Sequence, residues 1–260
     1  MKRLALILFA LFSLSLYARP VVLISSFDPF SGFDTNNTET VAKLLKDSAF
    51  ELNEVDLEFC SLETKFDIGF EQLQECYRKL QGKEIAAVIS LGEGLCDVFM
   101  ETIAINHDYN NAPSHAPDNA GIKRDQVIVE NGPAFLGFSL PIEKLYCDLT
   151  KQENKLAQVS VTDQTFICNN VAYLFRYHYP EVPYTFIHVP NARCKKLAKK
   201  NELATSLIKK LIGHAVNDYH NQRMSLLPNS LELISQRENE SMGCEKTFFT
   251  KMKKAFSKKH

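Results

Sequence analysis

Three six-residue apolar runs, VVLISS at 21–26, AAVISL at 86–91 and YTFIHV at 184–189, limit what this 260-residue chain can fold into. Each reads as a buried strand, and the second ends at Gly92, as a sheet strand entering a loop does. Amphipathic stretches separate them. A helix is expected from about Thr38 to Leu45, after a loop through Asp28, Pro29 and Gly32. A second is expected from Phe66 to Leu80, with Phe66, Phe70, Leu73 and Tyr77 on one face. Further helices are expected at Phe166 to Tyr177 and Lys195 to Asn217. Strands are expected at Val55 to Leu62 and Val159 to Val161, with an extended piece at Val127 and Val129 before a GP turn. This alternation predicts an α/β fold: a single three-layer domain whose twisted mixed sheet is flanked by helices, with active groups at strand ends.

The chain is 45% hydrophobic and 23% charged, enough to bury a full core. Its net charge of -1 supplies no reason to expect a polyanionic partner, and nucleic acid is not expected. Basic residues cluster only in KKLAKK at 195–200 and in the tail, where a solvated face is the ordinary reading. Lys2 and Arg3 precede an apolar run from Leu4 to Leu16, and Tyr17-Ala18 offers a small residue at a cut. Residues 1–18 therefore read as a secretory signal peptide, and the mature chain is expected to begin near Arg19, secreted or in a periplasm. The run is short of the ~20 residues of a spanning helix, so no stable membrane anchor is expected. The main domain is placed at 19–225. Beyond it the apolar period fades, and 226–260 reads as a C-terminal tail.

Export changes the meaning of the seven cysteines. In an oxidising compartment most pair, and an odd count leaves one free unless a bond joins two chains. Cys168 is the candidate. Thr162-Asp163 is expected to cap its helix, which would put Cys168 about a turn and a half in, where the positive end of the helix favours a thiolate. By position alone Cys168 is a small core residue beside Ile167 and Val171, and His188 a satisfied structural group at the end of an apolar strand. As a pair they become a thiol and a base, because a strand end can offer an imidazole to a neighbouring helix. Glu101, just before an apolar run, is either solvated or the third group that orients the histidine.

These islands together resemble the pyroglutamyl peptidase I family, the pyrrolidone-carboxylate peptidases. SFDPFSGF at 26–33 is similar to the family's GFxPFGG loop, LGEG at 91–94 to its glycine loop, and ETIAIN at 101–106 to its ERVAIN. APDNAG at 116–121, GPAFLGFSLPIEKL at 132–145, TFICN at 165–169 and FIHVP at 186–190 follow in the family's order over about 170 residues. The resemblance implies a cysteine peptidase acting on a peptide with an N-terminal pyroglutamyl residue. Cys168 would be the nucleophile, His188 the base and Glu101 the orienting acid, while Phe27 and Phe30 would sandwich the flat lactam. No metal or other cofactor is implied. Family members often assemble as oligomers, so a homo-oligomer is admitted. Several positions depart from the family. Thr102 and Asp97 stand where arginines are expected, Cys96 replaces a glycine, Ser31-Gly32 replaces a glycine pair, and Asn36-Asn37-Thr38 replaces asparagine-proline-serine. Asp163-Gln164 replaces a small pair, and SHA at 114–116 lengthens a loop.

Other readings stay open. A catalytically impaired member that binds pyroglutamyl peptides would fit the missing arginines. His107, Asp108, His115 and Asp118 have side chains suited to zinc, but at irregular loop spacing. LGEG lacks the third glycine of a dinucleotide loop.

Overall fold

A computed structural model describes residues 19–220, apart from 31, 49–51, 53, 114, 150–156 and 161–164, together with Phe248, Thr250, Met252 and Lys253. The expected signal peptide, and most of the expected tail, lie outside the described residues. The main sheet has six strands: β1 (Val21–Phe27), β2 (Asp56–Leu62), β3 (Ile85–Glu93), β4 (Val98–Glu101), β9 (Ala157–Ser160) and β10 (Tyr184–Val189). Their order is β2-β1-β3-β10-β4-β9. The first four run parallel, β4 is antiparallel to β10, and β9 is parallel to β4. The sheet is therefore mixed.

Helices cover both faces, which is why the sequences of β1, β3 and β10 are largely apolar rather than alternating. In β1, Val22 and Ile24 join the cluster formed with helices α1 (Asn37–Asp47), α3 (Ile142–Cys147) and α5 (Leu197–His220). Val21 and Leu23 join the opposite cluster, with α2 (Ile68–Lys79) and α4 (Ile167–His178). Likewise in β10, Ile187 and Val189 face the first cluster while Tyr184 and Phe186 face the second. The result is the expected three-layer α/β domain.

Short elements complete one edge. Strand β5 (Ile103–Ile105) pairs with β8 (Phe135–Gly137), and β6 (Asp108–Tyr109) with β7 (Asp125–Gln126). The extended piece expected at Val127 and Val129 is not a strand. The Val129 amide donates instead to the Asn106 side chain at 2.8 Å, so a side chain substitutes there for a ladder.

The start of α4 also differs from expectation. It begins at Ile167 with Phe166 as its extended N-cap residue, so Cys168 lies in the first turn rather than a turn and a half in. Thr162-Asp163, the expected cap, falls outside the described residues. By contrast, α1 has a side-chain cap: Asn36 accepts the Thr38 amide at 3.0 Å. The Thr38 hydroxyl receives the Phe27 amide at 3.0 Å, tying the loop after β1 to that helix.

Two disulfides join described residues, Cys60–Cys76 between β2 and α2, and Cys96–Cys194 between the segments that follow β3 and β10. Cys147 is disulfide-bonded as well, and Cys168 is free. The bridges span 16 and 98 residues, so by loop closure they stabilise the fold by about 3 and about 5 kcal/mol. From the expected tail, Phe248 and Met252 are buried in the α5 cluster, and the Phe248 ring lies 5.6 Å from that of Tyr146. No helix among the described residues is long and apolar enough to cross a membrane.

Candidate active site

Strand periodicity aims two of the three expected residues at the third. Along β10, Phe186 faces the α4 layer, so His188 two residues on faces it too. Along β4, Met100 faces the α5 layer, which turns Glu101 toward α4. Because β4 and β10 are antiparallel neighbours, with His188 opposite Phe99, the two side chains meet across the strands. His188 Nδ1 lies 2.8 Å from Glu101 Oε1, and His188 and Glu101 are only 1% and 2% exposed. A carboxylate can only accept, so Nδ1 carries the proton and Nε2 is left for another partner.

Cys168 shares the site. The half-buried thiol lines, with His188 and Glu101, a cavity of about 10 Å³ bounded by Ile103, Ala104 and Phe186. Nε2 makes no hydrogen bond, while the electrostatic influence of Cys168 reaches the ring. Burial favours the neutral imidazole, but the pull of Cys168 and of Glu101 outweighs it and raises the His188 pKa to about 10. The cavity has room for no more than a water-sized guest.

Two glycines let the groups come this close. A Cβ on Gly92 would stand 2.9 Å from Cys168 Sγ and 2.6 Å from the Phe186 ring, and one on Gly94 would stand 2.9 Å from His188 Cβ. The residue after the cysteine has its own task, which sequence reasoning missed. Asn169 accepts the Ile105 amide at 2.7 Å and donates to the Ile105 carbonyl at 2.8 Å, pinning the first turn of α4 to β5. The TFICNN island carried that signal in its asparagines.

The aromatic residues divide. Phe27 is 2% exposed within the core beneath the site, while Phe30 is half-buried. The Phe30 ring lies 6.1 Å from Phe33 and 6.2 Å from Phe166, whose ring in turn meets Phe66 at 5.6 Å. Phe166, two residues before the thiol, was not singled out from the sequence. Arginine guanidinium groups cap both ends of this row, Arg193 over Phe33 at 3.9 Å and Arg124 over Phe66 at 4.5 Å.

The departures from the family pattern acquire contacts. Cys96 forms the bridge to Cys194, Asp97 pairs with Lys200 at 3.4 Å, and the Thr102 hydroxyl donates to the Ser160 carbonyl at 2.9 Å. The four possible zinc donors are engaged separately. His107 pairs with Asp125 at 2.8 Å, Asp118 accepts the amides of Ala120, Ile122 and Phe66, and His115 packs edge-on against Tyr109. Asp108 is fully buried and accepts from Asn170 at 2.8 Å; burial pushes its carboxyl up to about 7, against the opposing pull of Asn170 and Arg124. Among the described residues no three such side chains converge.

A buried carboxylate and imidazole beside a free thiol at a helix start, on a mixed α/β sheet, define the class of cysteine hydrolases. The chain belongs to the pyroglutamyl peptidase family, whose model matches residues 21–218. It is 35% identical over 176 residues to the pyrrolidone-carboxylate peptidase of Finegoldia magna, covering 65% of this chain and 78% of that one. The pyrrolidone-carboxylate peptidase of Thermosipho africanus is 30% identical over 191 residues, or 72% of this chain and 89% of its own. A mutant pyrrolidone carboxyl peptidase from Pyrococcus furiosus superimposes with a TM-score of 0.63 at 25% identity, covering 76% of this chain and 99% of that one. Pyroglutamyl peptidase I of Bacillus amyloliquefaciens does so with a TM-score of 0.63 at 26% identity, covering 75% and 98%.

Proposed function

We propose that this protein is a cysteine peptidase that removes an N-terminal pyroglutamyl residue from peptides, with Cys168 as nucleophile, His188 as base and Glu101 as orienting acid. The observation that carries the reading is the buried 2.8 Å contact from Glu101 to His188, with the free thiol of Cys168 on the ring's other side. The Cys168 sulfur attacks the pyroglutamyl carbonyl carbon, the peptide C–N bond breaks, and His188 delivers a proton to the departing amine. His188 then takes a proton from water, whose oxygen attacks the thioester and releases pyroglutamate and the thiol. Backbone amides of the first turn of α4 are the natural donors to the oxyanion, since they have no partners within the helix.

Purified mature protein should release amine from a pyroglutamyl amide and not from the matched prolyl amide. Retention of a pyroglutamyl peptide without release from either substrate would replace this reading with that of a binding protein.

The two phenylalanines separate pocket from core. Phe30→Ala should weaken KM by the equivalent of about 1 to 3 kcal/mol with little change in Tm. Phe27→Ala, at a 2% exposed position, should instead cost about 3 to 5 kcal/mol of stability. Thermal melts and steady-state kinetics on both variants distinguish these outcomes, and equal losses of stability and binding at Phe30 would make it a core residue.

Export is part of the same proposal. Lys2, Arg3 and the apolar run to Leu16 support a signal peptide and a mature chain beginning near Arg19, outside the cytoplasm. N-terminal sequencing of protein from its native cell should find that start; uncleaved cytosolic protein would contradict it.

A further inference from the structure

We propose that the Cys96–Cys194 bridge is a positioning device for the reacting pair, holding the glycine loop after β3 against the exit of β10 so that thiol and imidazole keep their alignment. The inference rests on the reading of Cys168 and His188 as that pair.

The bridge joins the two segments that meet the pair directly. Cys96 lies four residues beyond Gly92, whose Cα backs onto the Cys168 sulfur, and two beyond Gly94, which backs onto His188. Cys194 lies six residues beyond His188 itself. At the root of the loop, the backbone already ties the segments together, from the Gly94 amide to the Val189 carbonyl at 2.9 Å and from the Asn191 amide to the Leu95 carbonyl at 3.0 Å. Glu93 adds a second layer, accepting the Asn191 side chain and the Asn37 amide, each at 2.6 Å.

The tip has less to hold it. Leu95 is 66% exposed and Cys96 is exposed, so no core lies beneath them, and Gly94 makes the loop permissive. Cys194, by contrast, is buried, which gives the bridge a fixed anchor. Lys200 adds a contact to the Cys96 carbonyl from α5. Gly92 is held within β3 opposite His188, but a loop free at its tip would let Gly94 drift from the His188 side chain it backs, and a misplacement of about 1 Å at reacting groups can cost about a hundredfold in rate. Cys96 and Cys194 are thus positioning residues, since neither touches the reacting atoms.

The other bridge provides the control. Cys60–Cys76 joins β2 to α2 and touches neither segment of the pair. Two double variants, Cys96→Ser/Cys194→Ser and Cys60→Ala/Cys76→Ala, would be compared with the full protein at a temperature where circular dichroism shows all three folded. Iodoacetamide labelling of Cys168 would be followed by site-resolved mass spectrometry from pH 5 to 9, beside kcat and KM on a pyroglutamyl amide.

Opening the Cys96–Cys194 bridge should slow Cys168 labelling near pH 6 about tenfold and lower kcat about ten- to a hundredfold, with KM changed by about twofold or less. Opening Cys60–Cys76 should lower Tm and leave the labelling profile and kcat in place. A Cys96→Ser/Cys194→Ser variant with the labelling profile and kcat of the full protein would overturn the proposal. If that variant does not fold, phosphine reduction of the native protein opens the bridge at exposed Cys96, and a Cys168 labelling rate unchanged by it would overturn the proposal equally. Labelling needs no peptide turnover, so absence of pyroglutamyl hydrolysis in the full protein would sink the activity reading while this inference is still decided by the thiol.

Discussion

Cys168→Ala is expected to abolish release from a pyroglutamyl amide, with a loss of about 10⁴-fold or more in kcat, while the far-ultraviolet spectrum stays that of the parent. The loss is large because no other described cysteine is free to substitute. The folding cost is small because the thiol is half-buried beside a water-sized cavity, and its removal strips little packing from α4. A structural cysteine would behave in the reverse way, with slow alkylation and a stability penalty. Retention of parental turnover by this variant would remove Cys168 from the mechanism.

Glu101→Gln should lower kcat by about 10²- to 10⁴-fold without unfolding the chain, because the shape is conserved and the charge that orients the ring is lost. A neutral glutamine amide no longer stabilises the protonated ring, and it can present its NH₂ to Nδ1 and displace that nitrogen's proton. The same variant carries a second readout. The His188 pKa is raised in the folded chain, to about 10, so the stability it contributes is complete below about pH 6.5 and is lost as the pH climbs toward the folded value. With Glu101 removed, one cause of that elevation disappears. The Tm of the variant should therefore fall less between pH 7 and pH 9 than that of the parent. Asp108 also titrates in this range, but it is common to both proteins and cancels in the comparison. Parallel Tm profiles would mean that Glu101 does not govern the imidazole.

Much of this architecture was legible because strands buried on both faces leave an unmistakable trace. β1, β3 and β10 are runs of apolar residues for the physical reason that each supplies side chains to two helical layers. β4 left no such trace. Its four residues, VFME, are too few to show a period, and its antiparallel place between β10 and β9 depends on partners distant in sequence. The site divides the same way. Cys168, His188 and Glu101 each read alone as core or solvated residues, and stood out only when their islands were taken as a set. The roles of Glu93, Asn169 and the Cys96–Cys194 bridge exist only through contacts between segments, and a bridge across 98 residues has no local signature. The start of α4 was misplaced for a related reason: capping residues were sought at Thr162-Asp163, whereas Phe166 fills the N-cap position without a side-chain bond and spends its ring on Phe30 and Phe66 instead.

Phe248 and Met252 carry a consequence for how the molecule is made. Both are buried in the cluster that α5 forms with the sheet, although they stand well beyond the end of α5 in the sequence. Each removes apolar surface worth about 1.5 to 3 kcal/mol from water. The hydrophobic face that they cover is built from segments synthesised long before, and it stays open until residues 248–252 have left the ribosome. That face therefore closes later than the sheet it lies on, and until then any factor that binds apolar surface on a nascent chain has a patch on this one to hold.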